Sequence, residues 1–428
     1  MDSLAAELHT LGKTARLLIG VLLLSAATAG IAILRSPADV LAPHFFAEDG
    51  AVWYASAYNA GWLATLVLPY HGMNMLLPRI TAAASLLLPL QAVPVMFFGV
   101  SVALRAAIVG YVASSRLAEA VPSRFTRYAM CILYLAMPNS WEVNASMSNA
   151  MWHLALLGIL VIVAAPPHAK GWKIADGVAI AAVGLTGPFA LACLPCAVGL
   201  ALLRRTRWST GVAIAFACAA LLQLSLLAEN FHGIPAALNA AALPSTIAGA
   251  LAGQVAIGGL TGAHGYALIH GAVWWSNPTV EAAVAASLLF LLGWIIARHP
   301  RDLGILVVYG LAIFLAGIVN VTLLDAHSHV SLTAPYVGSA RYAFVLIAAF
   351  LWGLASLVTM ERIVIMRCLA GILVMVVAGF GIPGDWLYPT FPAPGYAPAL
   401  QTFAAAAPGT AVTVPIAPEG WSMVLVKK

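Results

Sequence analysis

Residues His44 to Arg79 read HFFAEDGAVWYASAYNAGWLATLVLPYHGMNMLLPR. The stretch follows an apolar run from Leu17 to Leu34 and is the first long interruption after it. It holds the adjacent acids Glu48 and Asp49, and behind them Tyr70, His71, Asn74 and Arg79. Almost everything around it is compatible with lipid. A polar, acidic, aromatic-rich segment between such runs reads as a loop at a membrane face. The chain is therefore read as a bundle of membrane helices with structured loops.

Composition supports that reading. Of 428 residues, 62% are hydrophobic and 8% are charged, whereas a soluble domain carries about 25% charged residues. So few charges cannot cover a water-facing surface, and lipid is the alternative solvent. The formal net charge of +5 comes from short basic groups between apolar runs, a distribution that gives no surface for nucleic acid. All five cysteines lie in apolar runs. Cys193 and Cys196 have a CxxC spacing inside ALACLPCAVGL, which reads as two small residues on a helix. Neither a disulfide framework nor a zinc site is expected. Lys13 and Arg16 precede the first run, which lacks a small-residue cleavage site and reads as a retained span.

A crossing takes about 20 apolar residues. The sequence predicts an all-α polytopic protein with about 11 transmembrane helices, within a range of 10 to 13. The spans fall at 15–34, a broken stretch 80–114, 127–139, 150–165, 174–187, 188–203, 209–229, 279–297, 303–324, 341–360 and 363–382. Residues 1–382 then form the membrane domain, with a polar loop at 35–79, and 383–428 form a small tail. Several spans are short or interrupted, as Pro89 and Pro94 show, and such helices need protein or a water-filled cavity around them. The segment 230–278 reads as a long loop, and loops are expected to carry short amphipathic helices. The ending TAVTVPIAPEGWSMVLVKK has the β-branched pattern of a strand pair.

Orientation follows from the basic residues. With eleven crossings and a cytoplasmic N-terminus, Lys13/Arg16, Arg116/Arg124/Arg127, Lys170/Lys173, Arg204/Arg205/Arg207, Arg298/Arg301 and Arg362/Arg367 all fall inside. Asp39, Glu48, Asp49, Glu142, Asp325, Asp385 and Glu419 all fall outside. The inner loops are too short for a nucleotide-binding domain, and no P-loop or dinucleotide-binding glycine motif is present. Chemistry, if any, belongs to the outer face.

There Glu48 and Asp49 sit between Phe45/Phe46 and Trp53/Tyr54, near the headgroups. A carboxylate so placed can take the proton of an acceptor hydroxyl or hold a divalent cation against a phosphate. It can equally be a solvated loop residue. Arg79 and Arg341 stand at outer span ends, as interface anchors or as guanidinium forks for a phosphate. Tyr342 beside Arg341 suits either role. Tyr70, His71 and Asn74 can bind sugar or phosphate, or cap a loop. Glu142 and Asn149, near Trp152, can contact a sugar. Asp325, His327 and His329 make a DxHxH pattern of metal-ligand types on one loop.

With the first span, FFAEDGAVWYASA, an amphipathic stretch and LLPRI entering the next span, the chain resembles membrane glycosyltransferases of the GT-C type. Its PIAPEGW ending also resembles bacterial proteins of O-antigen and surface-glycan glucosylation. The resemblance implies a bacterial inner-membrane location. It also implies a polyprenyl-phosphate-linked sugar donor, a glycan or lipid acceptor, and an acidic pair in the first outer loop. The family pair is usually Asp-Glu or Asp-Asp. Here it is Glu-Asp, so Glu48 and Asp49 both remain candidates for the base. A transporter or flippase of a lipid-linked glycan is the rival reading. Its polar residues would gather at mid-membrane rather than at one face.

Overall fold

The segment FVLIAAFLWGLASLVTM is apolar on every side, and such a helix belongs at the centre of a bundle. In the computed structural model it is the hub. The structure describes residues 2–144, 146–229, 243–299, 301–324, 332–336 and 339–428, without the side chains of 2–18, 323 and 324. In the helix Ala340–Met360, 83% of the most apolar window is buried, against 22% in Val364–Gly384 and 28% in Arg207–Glu229 and Pro278–Arg298. The latter three form a periphery suited to lipid. A Cβ on Gly353 would stand 2.3 Å from Ile295 Cδ1, so the glycine allows the hub to meet Pro278–Arg298 closely.

The protein is helical and of membrane type: 74% of it is helix. Among the described residues, seven helices are long and apolar enough to cross a bilayer: Leu90–Ala113, Arg207–Glu229, Leu243–His270, Pro278–Arg298, Leu303–Thr322, Ala340–Met360 and Val364–Gly384. Ile19–Arg35, Met151–Val163 and Phe189–Arg204 are shorter apolar helices. The expected span 80–114 divides at Pro89 into Leu76–Ser85 and Leu90–Ala113.

Two ends of the bundle differ in charge. At one end Arg116 grips Asp176 with two bonds of 3.2 and 2.9 Å and donates to the Ala165 carbonyl. Arg204 donates to the carbonyls of Ile162, Val163 and Ala164, which end the Met151–Val163 helix. Arg298 pairs with Glu361 at 3.1 Å. At the other end lie Glu48, Asp49, Glu142 and Asp385. Arg35 is there too, fully buried, donating to the carbonyls of Leu135, Met137, Asp385 and Trp386.

The segment 230–278, expected as a loop, contains the helix Leu243–His270. Only 243–278 of it is described. Gly249 lies against Glu281, in the first turn of Pro278–Arg298, and Gly262 lies against Asp385, directly after Val364–Gly384. Both neighbours are at the end opposite the Arg298–Glu361 pair. Residues 249–262 therefore run along the acidic end rather than through the bundle. Gly262 has φ +81°, which breaks the helix there. Asp385 fills the break, accepting the N–H groups of Asn139 and Ala263 at 2.7 Å and of His264 at 3.1 Å.

The tail folds as expected into an antiparallel pair, Ala411–Ile416 and Trp421–Val426, in register from Ala411↔Val426 to Ile416↔Trp421. Val414, Ile416, Met423 and Leu425 turn inward. They share a small core with Phe45 and Trp53, so loop and tail pack as one cap.

Candidate functional site

The site is built on the bend Phe45–Asp49. Ala47 has φ +44°, and the bend is held by the tail: Ala47 N–H donates to Ala417 O at 2.5 Å and Ala417 N–H to Phe45 O at 3.0 Å. Then the chain enters a π-helical turn, Asp49–Tyr54, and continues into the short helices Ala55–Ala60 and Trp62–Thr65. Single π turns interrupt helices at functional places more often than elsewhere. Gly50 is required for the bend, since a Cβ there would meet Phe45 Cβ at 2.8 Å.

The two acids have different surroundings. Asp49 is buried, and its carboxylate accepts three bonds: Met147 N–H at 2.8 Å, Ser148 N–H at 2.9 Å and Ser148 O–H at 2.8 Å. Burial pushes its carboxyl up to about 7, against these donors, which favour the anion. Trp53 donates its indole N–H to Ser148 Oγ at 2.7 Å and completes the latch. Glu48 is half-buried and accepts no hydrogen bond from any described residue. Its charge is felt by Asp49, Tyr70 and Glu142. Burial first, and then Glu48, raise the Tyr70 phenol to about 12.

Glu142 is buried and bound to Arg341. Arg341 Nη1 donates to Oε1 at 2.7 Å, and its backbone N–H to Oε2 at 2.8 Å. Burial raises the Glu142 carboxyl, and Arg341 opposes that shift. Asn149 donates to the Glu142 carbonyl at 3.1 Å. Tyr342 stands edge-on to Trp152 at 5.4 Å, and the Arg341 guanidinium lies 5.2 Å from the Tyr342 ring. Arg341, at the start of its helix, is thus neutralised by an acid of the same end.

Arg79 is not at the surface. It is 5% exposed and lies 4.9 Å over the Trp53 ring. It donates to Ser56 Oγ at 2.7 Å and to Leu68 O at 3.4 Å, while its Nε is buried without a partner. No carboxylate among the described residues pairs with it. Tyr70 packs on Trp53 at 4.9 Å and on the exposed His71 at 4.2 Å. Asn74 docks its backbone on Gln223 and Gly187 and leaves its Oδ1 buried and unpaired. Glu48, Asp49, Tyr70, Glu142 and Arg341 therefore belong to one neighbourhood, with Arg79 behind Trp53. His71 faces out and Asn74 holds the loop. Asp325, His327 and His329 lie outside the described residues. Among those described, no group of three or more His, Cys, Asp or Glu is placed to hold a metal.

The sequence reading missed Ser148 and Met147, which hold Asp49, and Trp53 as the bridge between them and Arg79. The run Ser146 to Asn149 before an apolar helix was a visible signal, since Ser and Asn favour helix starts, where backbone N–H groups have no partner within the helix. Two cavities open at this end. One, of about 30 Å3, lies behind Asp49 and is lined by Asp39, Phe97, Ser101 and Asn144 among others. The second, of about 450 Å3, lies between Trp141, Tyr336, Asp385 and Tyr388.

Comparison with family models, curated proteins and solved structures gives no match. The functional reading therefore rests on this chain's own geometry.

Proposed function

We propose that the chain is a GT-C-type glycosyltransferase of a bacterial inner membrane. It moves a sugar from a polyprenyl-phosphate carrier to an extracytoplasmic glycan or lipid. The supporting observation is the division of labour in the acidic pair: Asp49 is held by Met147 and Ser148, and Glu48 beside it is half-buried with no hydrogen bond from the described residues. In this reading Glu48 is the base. The acceptor oxygen bonds to the anomeric carbon as the bond from that carbon to the phosphate oxygen breaks. The hydroxyl proton goes to Glu48, and the polyprenyl phosphate leaves as an anion. Arg79 offers it an unpaired cation, and Arg341 a second one when it parts from Glu142. A divalent cation held by Glu48 stands as an addition to this scheme.

The reading has eleven crossings. Six are the long helices other than Leu243–His270, and five are Ile19–Arg35, Arg124–Leu135, Met151–Val163, Lys170–Gly184 and Phe189–Arg204. The basic end then faces the cytoplasm, and the loop 35–79 and tail 383–428 face outward. Twelve helical residues reach about 18 Å, short of a hydrocarbon core of about 30 Å. The shorter helices thus border a wet cleft.

One observation favours the flippase reading: Arg105 lies well inside Leu90–Ala113, where transporters place polar groups. The deciding experiment gives purified protein a radiolabelled polyprenyl-phosphate sugar and a panel of glycan and lipid acceptors. Transfer that vanishes in Glu48→Gln supports the enzyme. Lipid translocation in vesicles without transfer supports the flippase.

A further inference from the structure

Arg79 is the one charged residue between Asp49 and Arg105 in the sequence, and it is buried. The segment around it is turned inside out relative to a water-facing loop. In the helix Leu76–Ser85 the buried positions are Pro78, Arg79, Thr81, Ala82 and Ser85. Thr81 donates its hydroxyl to Leu77 O at 2.9 Å, and Ser85 to Ala82 O at 2.7 Å. Ile80 is exposed, and so are Leu87 and Leu88 just past the helix end, Leu87 at 89%. The short helix Trp62–Thr65 repeats the pattern. Thr65 is buried and donates to the Gly61 and Trp62 carbonyls at 3.1 Å, whereas Trp62, Leu63, Val67 and Leu68 are exposed. Arg79 ties the two parts by donating to Leu68 O at 3.4 Å.

This segment does not run through the bundle. Met75, Ala82 and Val93 all share the small core of Phe45 and Trp53, so both ends of Leu76–Ser85 lie at the acidic end. A helix of about 15 Å therefore lies across that end. Directly after Leu88 the chain enters Leu90–Ala113, which is long and apolar enough to cross a bilayer. The hydrocarbon boundary thus falls at the level of Leu87 and Leu88. Apolar side chains left in water there would each lose about 25 cal/mol per Å2 relative to a lipid setting. We infer that residues 62–88 form a ledge immersed in the leaflet at the acidic end, with Leu63, Val67, Ile80 and Leu87 among the acyl chains and Arg79 turned to the protein. An apolar helix face of this kind sinks about 5–10 Å into the boundary between headgroups and chains. The missing charges fit acyl chains, since a surface for anionic headgroups would present exposed Lys or Arg. Lipid then backs the latch: Arg79 lies over Trp53, Trp53 donates to Ser148, and Ser148 holds Asp49. The ledge depends neither on transfer chemistry nor on which end faces the cytoplasm.

The test uses the full chain in lipid nanodiscs, with Cys196, Cys218 and Cys368 first replaced by alanine. Leu63→Cys, Val67→Cys, Ile80→Cys and Leu87→Cys each carry one nitroxide. Power saturation compares access by oxygen, which concentrates in lipid, with access by a water-soluble nickel chelate. Phe290→Cys, exposed on Pro278–Arg298, is the lipid reference, and Glu419→Cys, exposed between the two strands, is the water reference. The ledge sites should match Phe290→Cys, with an oxygen-to-nickel ratio several-fold above that of Glu419→Cys. Oxygen favoured at three or more of the four sites supports the ledge. Fewer than three overturns it: nickel favoured means the segment stands in water, and neither reagent admitted means that a second copy or a partner protein covers it. Ile80 is the least exposed of the four, and Trp62→Cys replaces it if that variant does not fold.

Discussion

Ser148 gives both its backbone N–H, at 2.9 Å, and its hydroxyl, at 2.8 Å, to one oxygen of Asp49. The other oxygen takes Met147 N–H. An amide at residue 49 keeps the shape and loses the match, because its NH2 must face a donor. Asp49→Asn should therefore destabilise the protein by about 1 to 3 kcal/mol. The measurement is thermal unfolding in detergent, and an unchanged midpoint would remove Asp49 from the latch.

Glu48 has no such duty. Glu48→Gln should unfold with the parental protein and yet lose transfer by roughly 100-fold to 10,000-fold, the usual worth of a general base. Initial rates on lipid-linked donor read this directly. Parental rates in Glu48→Gln, with loss in Asp49→Asn that exceeds its loss of folded protein, would exchange the two roles.

Proton affinity gives a separate handle on Asp49. Its carboxyl rises from 3.8 to about 7 on folding, through burial. The folded state then holds this proton more tightly than the unfolded chain. The stability it contributes is complete below pH 3.8 and is lost as pH rises through about 7. Unfolding followed from pH 4 to 8 should show that decline, and Asp49→Asn should flatten it. Infrared difference spectra should show a protonated carboxyl that titrates near 7 in the parental protein and is missing from Asp49→Asn.

The Glu142–Arg341 pair sets up opposite effects from neighbouring changes. Glu142→Gln releases the Arg341 guanidinium and should tighten retention of a polyprenyl phosphate. Arg341→Gln removes the cation and should weaken it by about 1.5 to 3 kcal/mol if the contact forms on binding. A loss in both variants would mark the pair as a strut and not as a reserve of charge.

Gly262 carries φ +81°, and a Cβ there would lie 2.6 Å from Asp385 Cγ. Gly262→Ala should cost about 1 to 3 kcal/mol from backbone strain alone, before the collision is counted. Asp385→Ala leaves three N–H groups unanswered and should also destabilise. Combined in one chain, the two losses should sum to less than their separate values, because the smaller side chain removes the collision. Strict additivity in unfolding experiments would mean that the two residues act apart.

How much of this could be read in the sequence follows from the range of each interaction. The membrane class rests on composition, and the strand pair at 411–426 on alternation, both local. Glu48 and Asp49 were visible as an unusual pair. Their division of labour was not, because the donors to Asp49 sit nearly a hundred residues away and no spacing announces them. Arg79 and Arg341 were legible as cations near span ends, but not the Trp53 ring under one or the Glu142 carboxylate on the other. Leu243–His270 read as a loop because Gln254, His264 and its glycines dilute the apolar pattern. Its packing on Asp385 and Pro278–Arg298 settles it as helix. Pro89 marked the break in the stretch 80–114, but nothing there ties Arg105 to the Asn144 carbonyl 39 residues further on.

Arg35 closes on carbonyls about 100 and 350 residues further along the chain, and the Phe45–Ala47 bend waits for Ala417. At ordinary rates of synthesis, 350 residues take about 20 to 70 s. For that interval the first helix stands with its arginine only half answered, and the acidic pair lacks its cap. The site thus comes into being late and all at once, and whatever shields residues 35–50 in the meantime belongs to the assembly machinery of the cell.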